Sequence, residues 1–382
     1  MNKIKKIVMI GTTAACFYGF RADLIKELVE KNVKVYAFTT DHQVSELEKI
    51  EKLGAIPVVY SLSRSSLNPL SDLYATYKLY KQIKDFNPDL VFSYFTKPVI
   101  YGSLAAKLSK VKKITAMLEG LGSPFTVHPH GQSLKIKLIR FIQVSLYRIV
   151  FPFIDKIVFL NKDDPVDLIE NNKIKHKANS PVVLGPIGLN LRDYSYTPWN
   201  MSNEISFIFI ARLLAEKGIF EYVEAAKIVK KKYPYIIFRV IGGLDLENPY
   251  GLTQNQLDEL IESKTIEYSG FVTNVDDYIK KSAVFVLPSY YREGVPRSTQ
   301  EAMAIGRPVI TTDVPGCRDT VIDGVNGFLV PKWNPQALAE KMIYFIEHPE
   351  QVRMMGDQSH KIATEKFDAE KVNQRLLEIL GI

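Results

Sequence analysis

The sequence predicts an α/β protein made of two doubly wound domains, each with a parallel sheet covered by helices. Three observations support this fold class. Segments of strand and helix character alternate along the chain, a pattern typical of parallel sheets with helices on both faces. A strand–helix–strand opening occurs twice, near residue 4 and near residue 205. The length of 382 residues exceeds what one ordinary core accommodates but suits two domains.

The two openings justify the first elements of each half. In the first half we predict a strand, a helix and a strand at residues 4–10, 22–31 and 33–39. In the second half the corresponding predictions are residues 205–211, 218–232 and 236–241. Because both halves begin alike, we expect two Rossmann-like domains that face each other across a cleft.

Proline and glycine are concentrated at residues 185–198, where we place the linker between the halves. The predicted domains are therefore residues 1–188 and 189–365. Apolar side chains recur at helical spacing near the end of the chain. Residues 366–382 are accordingly predicted to form a terminal helix that packs back across the domains.

Charge and cysteine content limit the class of partner and compartment. The net charge of +7 and the pI near 9.0 imply attraction to nucleic acid, anionic lipid headgroups or phosphorylated substrates. Two cysteines are too few for a disulfide framework, which favours a reducing cytoplasm.

The apolar run near the start is interrupted at residues 11–13, so we interpret it as a first strand and not as a signal peptide. No stretch reaches the ~18 apolar residues of a membrane span, and we expect a soluble or peripheral protein.

Motifs for two common reactions are missing from the sequence. Neither the loop after the first strand, at residues 11–16, nor the loop at residues 212–218 contains a G-x-G-x-x-G fingerprint. A phosphate-binding P-loop is missing as well. Dinucleotide oxidoreduction and nucleoside triphosphate hydrolysis therefore lose their main support in the sequence.

Two carboxylates eight residues apart, Glu293 and Glu301, are the most informative feature of the chain. Glu293 follows a predicted strand at residues 283–287, and Glu301 lies about one turn inside the next helix. Both can therefore face the crevice at the carboxyl end of the strand, and the helix start between them offers backbone N–H groups to a phosphate. Taken alone, the pair is better explained as a polar loop and an exposed helical Glu.

Two cations, Arg212 and Lys217, follow the first strand of the second half and flank the start of its first helix. One can bind phosphate through a forked guanidinium and the other as a point charge. A solvated pair at a helix start is the simpler explanation of this spacing alone. Because the cations and the two carboxylates lie at strand ends of one domain, we predict that the four side chains converge around one ligand.

In the order and spacing of its motifs the chain resembles the retaining glycosyltransferases of group 4, which have the two-domain GT-B fold. The motifs that carry this resemblance lie at residues 211–218, 269–272, 293–301, 301–310 and 323–330. The resemblance implies a nucleotide-sugar donor bound by the C-terminal domain and an acceptor bound on the side of the N-terminal domain.

The resemblance also implies roles for individual residues. Arg212 and Lys217 would bind the donor diphosphate, Glu301 the ribose hydroxyls and Glu293 the transferred sugar. The segment at the helix start would complete the pocket, and a second segment would lie beside the base. Those further donor-binding residues are Gly294, Val295, Pro296, Arg297 and Ser298 in the first segment, and Gly270, Phe271 and Val272 in the second.

Transfer of this type is thought to proceed on one face of the sugar, with the donor phosphate accepting the acceptor's proton. Neither a metal nor another cofactor is then expected, which agrees with a sequence that has no Asp-x-Asp motif and no His/Cys cluster. The opening loop departs from the commonest group pattern, because Gly19 is the only glycine left there for close approach to the donor.

Two further segments resemble bacterial transferases that extend sugars on undecaprenyl diphosphate. The first, at residues 63–69, suits an acceptor diphosphate but also suits a polar turn that caps a helix beginning near residues 68–71. The second, at residues 118–123, places Glu119 and Gly120 at a strand end, where Glu119 would contact the reacting sugar or the acceptor hydroxyl. A Glu held by structural hydrogen bonds is the alternative. The predicted acceptor-binding residues are Arg64, Ser65, Ser66, Asn68, Glu119 and Gly120.

Residues 128–153 contain two features that allow alternative explanations. His128 and His130 resemble a metal or proton-transfer pair, but without a third ligand nearby a mobile loop is the better explanation. Residues 133–153 mix basic and apolar side chains, which suits a helix in a lipid headgroup layer or a core helix with one solvent-exposed face. We favour peripheral contact with an anionic membrane.

These observations lead to one predicted function and two rivals. We expect an enzyme at the cytoplasmic face of a membrane that moves a sugar of the N-acetylhexosamine class from a UDP donor to a polyprenyl-diphosphate-linked saccharide. The nearer rival uses the same donor site with a soluble acceptor. The remote rival, a non-catalytic nucleic-acid-binding protein, is disfavoured because the basic residues are scattered and no nucleic-acid motif occurs.

Overall fold

A computed structural model describes residues 3–62, 69–129, 131–246, 248 and 250–382. The chain divides into two compact units. The first unit comprises Met1–Pro124, Leu134–Ile187 and Ala369–Ile382, and the second comprises Phe125–Ser133 and Gly188–Asp368. The predicted division differs at residues 125–133, which it assigned to the N-terminal domain, and at residues 369–382, which it kept as a separate terminal segment.

The first unit contains a sheet of seven parallel strands in the order β3-β2-β1-β4-β5-β6-β7. The strands are β1 Lys6–Ile10, β2 Lys34–Thr39, β3 Ile56–Val59, β4 Leu90–Tyr94, β5 Lys113–Leu118, β6 Lys156–Phe159 and β7 Pro181–Val183. The central strands are buried along almost their whole length, as expected for a sheet covered on both faces.

Helices of several lengths surround this sheet. The α-helices are Ala15–Tyr18, Ala22–Glu30, Val44–Glu51, Pro69–Phe86, Ser103–Leu108, Leu134–Val150, Asp163–Pro165 and Ala369–Leu380. The π-helical turns are Pro98–Gly102 and Val166–Glu170, and the 3₁₀ turns are Ser123–Phe125 and Phe151–Phe153. The terminal helix contacts Ala22–Glu30, and the Lys113 ammonium donates to the Leu380 carbonyl at 2.6 Å. The end of the chain is therefore part of the first unit.

The second unit contains six parallel strands in the order β10-β9-β8-β11-β12-β13. The strands are β8 Ser206–Ile210, β9 Ile237–Ile241, β10 Glu267–Tyr268, β11 Val284–Leu287, β12 Val309–Thr312 and β13 Gly327–Val330. Its α-helices are Ile219–Lys232, Gln254–Glu262, Val275–Lys280, Arg297–Ile305, Pro335–Glu347 and Pro349–Lys366, and its 3₁₀ turns are Ala215–Lys217 and Arg318–Thr320.

The two sheets share the doubly wound strand order that the sequence predicts. In each of them the chain starts at a central strand, builds outward to one edge, and then returns to build the other half. The reversal lies between β1 and β4 in the first unit and between β8 and β11 in the second. Ligands of such sheets bind at the carboxyl ends of the strands at this reversal, so each unit has one expected place for a site.

Within the described part of the chain, none of the helices combines the length and the apolar character that a bilayer crossing requires.

Candidate active site

The predicted donor residues lie at the strand reversal of the second unit. Arg212 and Lys217 follow β8, whereas Glu293 follows β11, and these strands are hydrogen-bonded neighbours in parallel register. Because the carboxyl ends of parallel strands meet at one edge of a sheet, the two loops share that edge.

Lys217 and Glu293 form a direct ion pair across this edge. The Lys217 ammonium donates to Glu293 Oε1, and both side chains are largely buried, with 13% and 10% exposed. The Ser289 hydroxyl donates to the same carboxylate oxygen at 3.1 Å, and the Lys217 ammonium lies 5.0 Å from the centre of the Tyr291 ring. The structure thus brings together one cation and one carboxylate of the four predicted.

Main-chain contacts explain why the two loops meet. The Glu216 carbonyl accepts hydrogen bonds from the N–H groups of Tyr290 and Tyr291, at 2.9 and 3.1 Å. Gly218 has φ +82°, and a Cβ there would lie 2.2 Å from the Pro288 carbonyl oxygen. Only glycine fits such a close approach of two backbones. Glycine after Lys217 therefore allows the two loops to approach this closely.

Arg212 does not join this pair. Its guanidinium contacts Asp245 Oδ2 at 2.5 Å and its side chain is 42% exposed. Asp245 lies in the loop after β9, which packs closely on the loop after β8, since a Cβ on Gly242 would lie 1.7 Å from the Ala211 carbonyl oxygen. Arg212 therefore pairs with Asp245 and not with Lys217 or Glu293, and the predicted convergence of the four side chains around one ligand stays a prediction.

Glu301 also has other partners. It is the fifth residue of helix Arg297–Ile305, where its Oε1 accepts from the Tyr194 hydroxyl at 2.8 Å and from Arg297 Nε at 3.0 Å. Burial acts to lower the pKa of Arg297, but the charge of Glu301 beside it raises that pKa overall. Burial and then Glu301 raise the pKa of Tyr194. Glu301 is thus held by local partners, and its convergence with the other three side chains around one ligand also stays a prediction.

The segment that leads into this helix closes the edge beside Glu293. Pro296 precedes the first helical residue and provides no side-chain cap, Val295 is buried, and the Gln300 amide donates to the Val295 carbonyl at 3.1 Å. A Cβ on Gly316, which has φ +81°, would lie 2.4 Å from the Gly294 carbonyl oxygen. Residues Gly294 to Ser298 therefore lie at the helix start, as expected, and are fixed by the loop after β12.

The predicted base-side residues follow β10, two strands away from β8. Gly270 has φ +71° with open space where a Cβ would lie, and its carbonyl accepts from the Gly242 N–H at 2.9 Å. Phe271 is 81% exposed, whereas Val272 is partly buried against the core. Phe271 therefore offers a free ring face at this edge.

In the first unit, Glu119 lies at the end of β5 and pairs with Arg21. Arg21 Nη2 donates to Glu119 Oε1, Arg21 is only 3% exposed, and its guanidinium carbon lies 5.2 Å from the centre of the buried Tyr94 ring. Gly120 has φ +101°. Glu119 therefore has a structural partner, as expected if it is a Glu held by structural hydrogen bonds. The sequence gave no indication that Arg21 would be that partner.

Several predicted residues have no role that the structure reveals. Gly19 ends the short helix Ala15–Tyr18 with φ −84°, so its backbone does not need the special freedom of glycine. Arg64, Ser65, Ser66 and Asn68 lie outside the described residues. Of the segment 63–69, the structure describes the backbone of the helix start at Pro69.

His128 is not part of a mobile loop, and that expectation is wrong. Its ring stacks on Tyr250 with centroids 4.4 Å apart, and its edge-on neighbour Tyr290 lies at 6.0 Å. Its Nε2 lies 3.2 Å from Oε1 of the fully buried Glu216. Burial lowers the pKa of His128 although that carboxylate is close. His130 lies outside the described residues.

The residues that sequence reasoning missed share one property: they are partners of the predicted ones. Asp245 had a signal, since it follows the Gly-Gly at the end of β9 beside the strand of Arg212. Tyr194 lies in the linker, where no spacing points to Glu301.

Over the described ranges there is no group of three or more His, Cys, Asp or Glu side chains that could hold a metal ion.

Two family models match the chain, one in each half. The model of glycosyl transferases group 1 matches residues 199–362, and the 4-like glycosyl transferase model matches residues 6–161. The first includes both members of the Lys217–Glu293 pair, and the second includes both members of the Arg21–Glu119 pair.

Curated relatives match over most of their length. The chain is 28% identical, over 98% of both chains, to the N,N'-diacetylbacillosaminyl-diphospho-undecaprenol alpha-1,3-N-acetylgalactosaminyltransferase of Campylobacter jejuni. It is 25% identical to the UDP-Gal:alpha-D-GlcNAc-diphosphoundecaprenol alpha-1,3-galactosyltransferase of Escherichia coli, over 69% of this chain and 68% of that one.

Solved structures share the fold at lower identity. The Anabaena protein HepE in complex with UDP and glucose has a TM-score of 0.77 and 18% identity over 99% of both chains. Sucrose-phosphate synthase from Thermosynechococcus elongatus has a TM-score of 0.74 and 16% identity over 98% of both chains. With the family models and the Campylobacter relative, these likenesses show that the chain is a glycosyltransferase with the GT-B fold.

Proposed function

We propose that this glycosyltransferase is a retaining enzyme that transfers N-acetylhexosamine from a UDP-sugar to a saccharide linked to undecaprenyl diphosphate. The observation that carries the proposal is the buried Lys217–Glu293 pair at the strand reversal of the second unit. The names of the Campylobacter and Escherichia relatives, both of which act on diphospho-undecaprenol-linked sugars, support the acceptor class.

Lys217 of the ion pair and the neighbouring Arg212 suit a diphosphate leaving group. In the proposed reaction the acceptor hydroxyl oxygen forms a bond to the anomeric carbon while the bond from that carbon to the donor phosphate breaks. Negative charge then grows on the departing UDP. Lys217 would offset that charge as a point charge held in a largely dry site, where electrostatic stabilisation is strongest. Arg212, exposed beside Asp245, would bind the diphosphate as a fork.

The carboxylates suit hydroxyl groups of the donor. Glu293 Oε1 already accepts from Lys217 and Ser289, so its charge is balanced when it accepts hydrogen bonds from a sugar. Glu301, oriented by Tyr194 and Arg297, would accept from the ribose hydroxyls. Phe271, with its exposed ring, would stack on the base.

The acceptor side is assigned to the first unit. Glu119, oriented by Arg21, would contact the acceptor or the reacting sugar beside Gly120. The acceptor diphosphate is assigned to Arg64, Ser65, Ser66 and Asn68 on the basis of sequence alone. The hydroxyl proton would leave on a donor phosphate oxygen, so neither a general base nor a resident metal is required for the step.

This acceptor implies a location at the cytoplasmic face of the membrane, with peripheral contact to anionic lipid. The mixture of basic and apolar side chains in helix Leu134–Val150, together with the net charge of +7, supports that contact. A lipid-linked substrate would be reached from the headgroup layer, so the protein would need to lie on that surface.

A donor screen tests the function directly. A set of UDP-, GDP- and dTDP-sugars is offered with an undecaprenyl-diphosphate-linked saccharide, and the products are identified by mass spectrometry. We expect one added N-acetylhexosamine from a UDP donor, with the α-linkage of the donor retained by NMR. Glu293→Gln serves as the matched variant and should form little product. Transfer only to water-soluble saccharides would replace the proposed acceptor, and an inverted linkage would exclude the retaining mechanism.

A further inference from the structure

Two helices of the first unit carry an unusual share of exposed apolar surface. They are Pro69–Phe86 and Leu134–Val150. Of the 24 large hydrophobic side chains that are exposed in the described part of the chain, eight lie on these two helices. Extended apolar patches on a protein surface mark places of interaction. The eight side chains are Leu73, Tyr74 and Tyr77 on the first helix and Leu134, Leu138, Phe141, Ile142 and Ile149 on the second.

Both helices lie on the same face of the sheet. Pro69–Phe86 connects β3 to β4, and Leu134–Val150 connects β5 to β6. In the order β3-β2-β1-β4-β5-β6 both connections run in the same direction across the sheet, and right-handed crossovers place such helices on one side. Residues Pro98–Gly102 contact both of them. The exposed side chains therefore belong to one side of the unit.

The charge of these helices is predominantly positive. Leu134–Val150 contains no Asp or Glu and four basic residues, Lys135, Lys137, Arg140 and Arg148. Pro69–Phe86 contains Lys78, Lys81 and Lys84. One of its two acidic residues, Asp72, is buried, and both of its carboxylate oxygens accept hydrogen bonds from the Lys97 ammonium at 3.0 Å. An apolar face flanked by cations is complementary to an anionic lipid surface, in which both kinds of group find partners.

The first helix has a repeated arrangement that was not recognised in the sequence. Three tyrosines are each followed four residues later by a lysine, and each lysine ammonium lies over the ring before it. The distances from nitrogen to ring centre are 4.6 Å for Lys78 and Tyr74, 4.7 Å for Lys81 and Tyr77, and 5.8 Å for Lys84 and Tyr80. Tyrosine is enriched at membrane interfaces, where lysine extends its charge toward the phosphates.

Pairs of this kind also stabilise a helix without any partner. Helix stabilisation alone does not account for Leu73 and Tyr74, which are 55% and 61% exposed next to each other at the start of the same face. It also does not explain why a second helix on that side of the sheet presents Phe141 at 65% exposure.

We propose that Pro69–Phe86 and Leu134–Val150 form one docking face for an anionic membrane, in which the tyrosine–lysine pairs bind the headgroup layer. This inference rests on the proposed function, because a lipid-linked acceptor has to be met at a membrane. It goes further by assigning half of the docking to a helix whose sequence is not markedly apolar.

Vesicle flotation of the full-length protein tests this face. The probes are vesicles of phosphatidylcholine alone and of phosphatidylcholine mixed with phosphatidylglycerol, each at low and high salt. Two double variants alter the first helix, Lys78→Gln with Lys81→Gln and Tyr74→Ser with Tyr77→Ser. The matched control, Lys231→Gln with Tyr235→Ser, removes an exposed lysine and tyrosine of the same spacing from the second unit. Thermal unfolding confirms that each variant is folded.

We expect the wild type and the control to float with the anionic vesicles, and less so at high salt. Loss of two lysines should weaken partition roughly 25-fold, at about 5-fold for each charge near an anionic surface. The tyrosine variant should also lose binding. Equal partition of both variants and the wild type, or no binding of the wild type to any vesicle, would overturn the proposal in favour of a protein partner for this face.

A separate readout distinguishes this proposal from the proposed function. The same variants are assayed with detergent-solubilised acceptor, for which vesicle docking is unnecessary. Unchanged transfer alongside lost flotation supports both proposals. If flotation behaves as expected but the protein transfers no sugar, the proposed function is contradicted and the docking face is still supported.

Discussion

The two units repeat one strand order, and each has a cation paired with a carboxylate at the carboxyl edge of its sheet. In the first unit the pair is Arg21 and Glu119, after β1 and β5. In the second it is Lys217 and Glu293, after β8 and β11. A buried cysteine lies near each pair, and burial raises the pKa of Cys16 to about 11 and that of Cys317 to about 12.

The surroundings of the two pairs differ. Arg21 lies over the buried ring of Tyr94, and its carboxylate partner comes from a strand one further from the reversal. Lys217 and Glu293 come from the two strands at the reversal itself, and a helix begins four residues after Glu293. A helix start lies beside both pairs, at Ala22 and at Arg297, so the difference that matters is the distance from the strand reversal, where ligands of doubly wound sheets bind.

The strongest way to break this comparison is to remove the cation of the second pair. Lys217→Ala should lower kcat by roughly 10²–10³-fold, the usual cost of losing one group that stabilises developing charge. Steady-state kinetics with the donor found in the screen measures it. Lys227→Ala removes an exposed lysine paired with Glu224 on the next helix and should leave kcat unchanged. Similar rates for Lys217→Ala and the control would contradict a donor role for the pair.

Removing the cation of the first pair should chiefly cost stability. Arg21→Met leaves Glu119 without its buried partner, which costs about 3 kcal/mol. Thiol labelling during a urea titration can report on each unit, because both cysteines are buried and their raised pKa values keep them protonated in the folded protein.

For Arg21→Met we expect the labelling midpoint of Cys16 to fall further than that of Cys317. Equal shifts for the two thiols, or none, would show that the first pair does not stabilise its own unit.

The exposed ring of Phe271 sharpens the comparison, because no corresponding ring was predicted for the first unit. Phe271→Ala should weaken UDP binding about tenfold through lost stacking, and it should leave the melting temperature unchanged since the side chain is exposed. Calorimetric titration with UDP checks the first part and thermal unfolding the second. If the variant bound UDP as tightly as the wild type does, the base would not stack on Phe271.

The smallest expected effect concerns the segment Phe125–Ser133, which follows the Glu119 loop in sequence but packs in the second unit. His128→Ala removes the ring contacts with Tyr250 and Tyr290, worth about 1 kcal/mol. Hydrogen exchange in residues 125–129 should therefore become faster, while exchange in β12 stays constant. Unaltered exchange throughout would mean that other contacts hold the segment.

The same segment should respond to pH. Burial lowers the pKa of His128 below its ordinary value of 6.5, so the unfolded form binds a proton more readily. The contribution of His128 is present above that value and is lost as the pH falls below it. Exchange in residues 125–129 should thus accelerate between pH 7 and pH 5 in the wild type and less so in His128→Ala.

The sequence was sufficient for the elements and the donor-side motifs. Periodicity alone placed the strand before Arg212 and the terminal helix close to their observed bounds, because local patterns decide such elements. It did not reveal that Asp245 engages Arg212 or that Tyr194 engages Glu301, since those contacts depend on loops folded over adjacent strands. The position of His128 was equally hidden, because a contact with Glu216 across 88 positions of chain leaves no local pattern.

The central claim is that Lys217 binds the diphosphate of a nucleotide-sugar donor and that its partner Glu293 binds the transferred sugar. The most direct test is calorimetric titration of the wild type and Lys217→Met with UDP and, in parallel, with uridine. We predict that the variant binds UDP at least tenfold more weakly, the cost of one lost charge-assisted contact, while its affinity for uridine equals that of the wild type. Equal UDP affinity in the two proteins would contradict the claim.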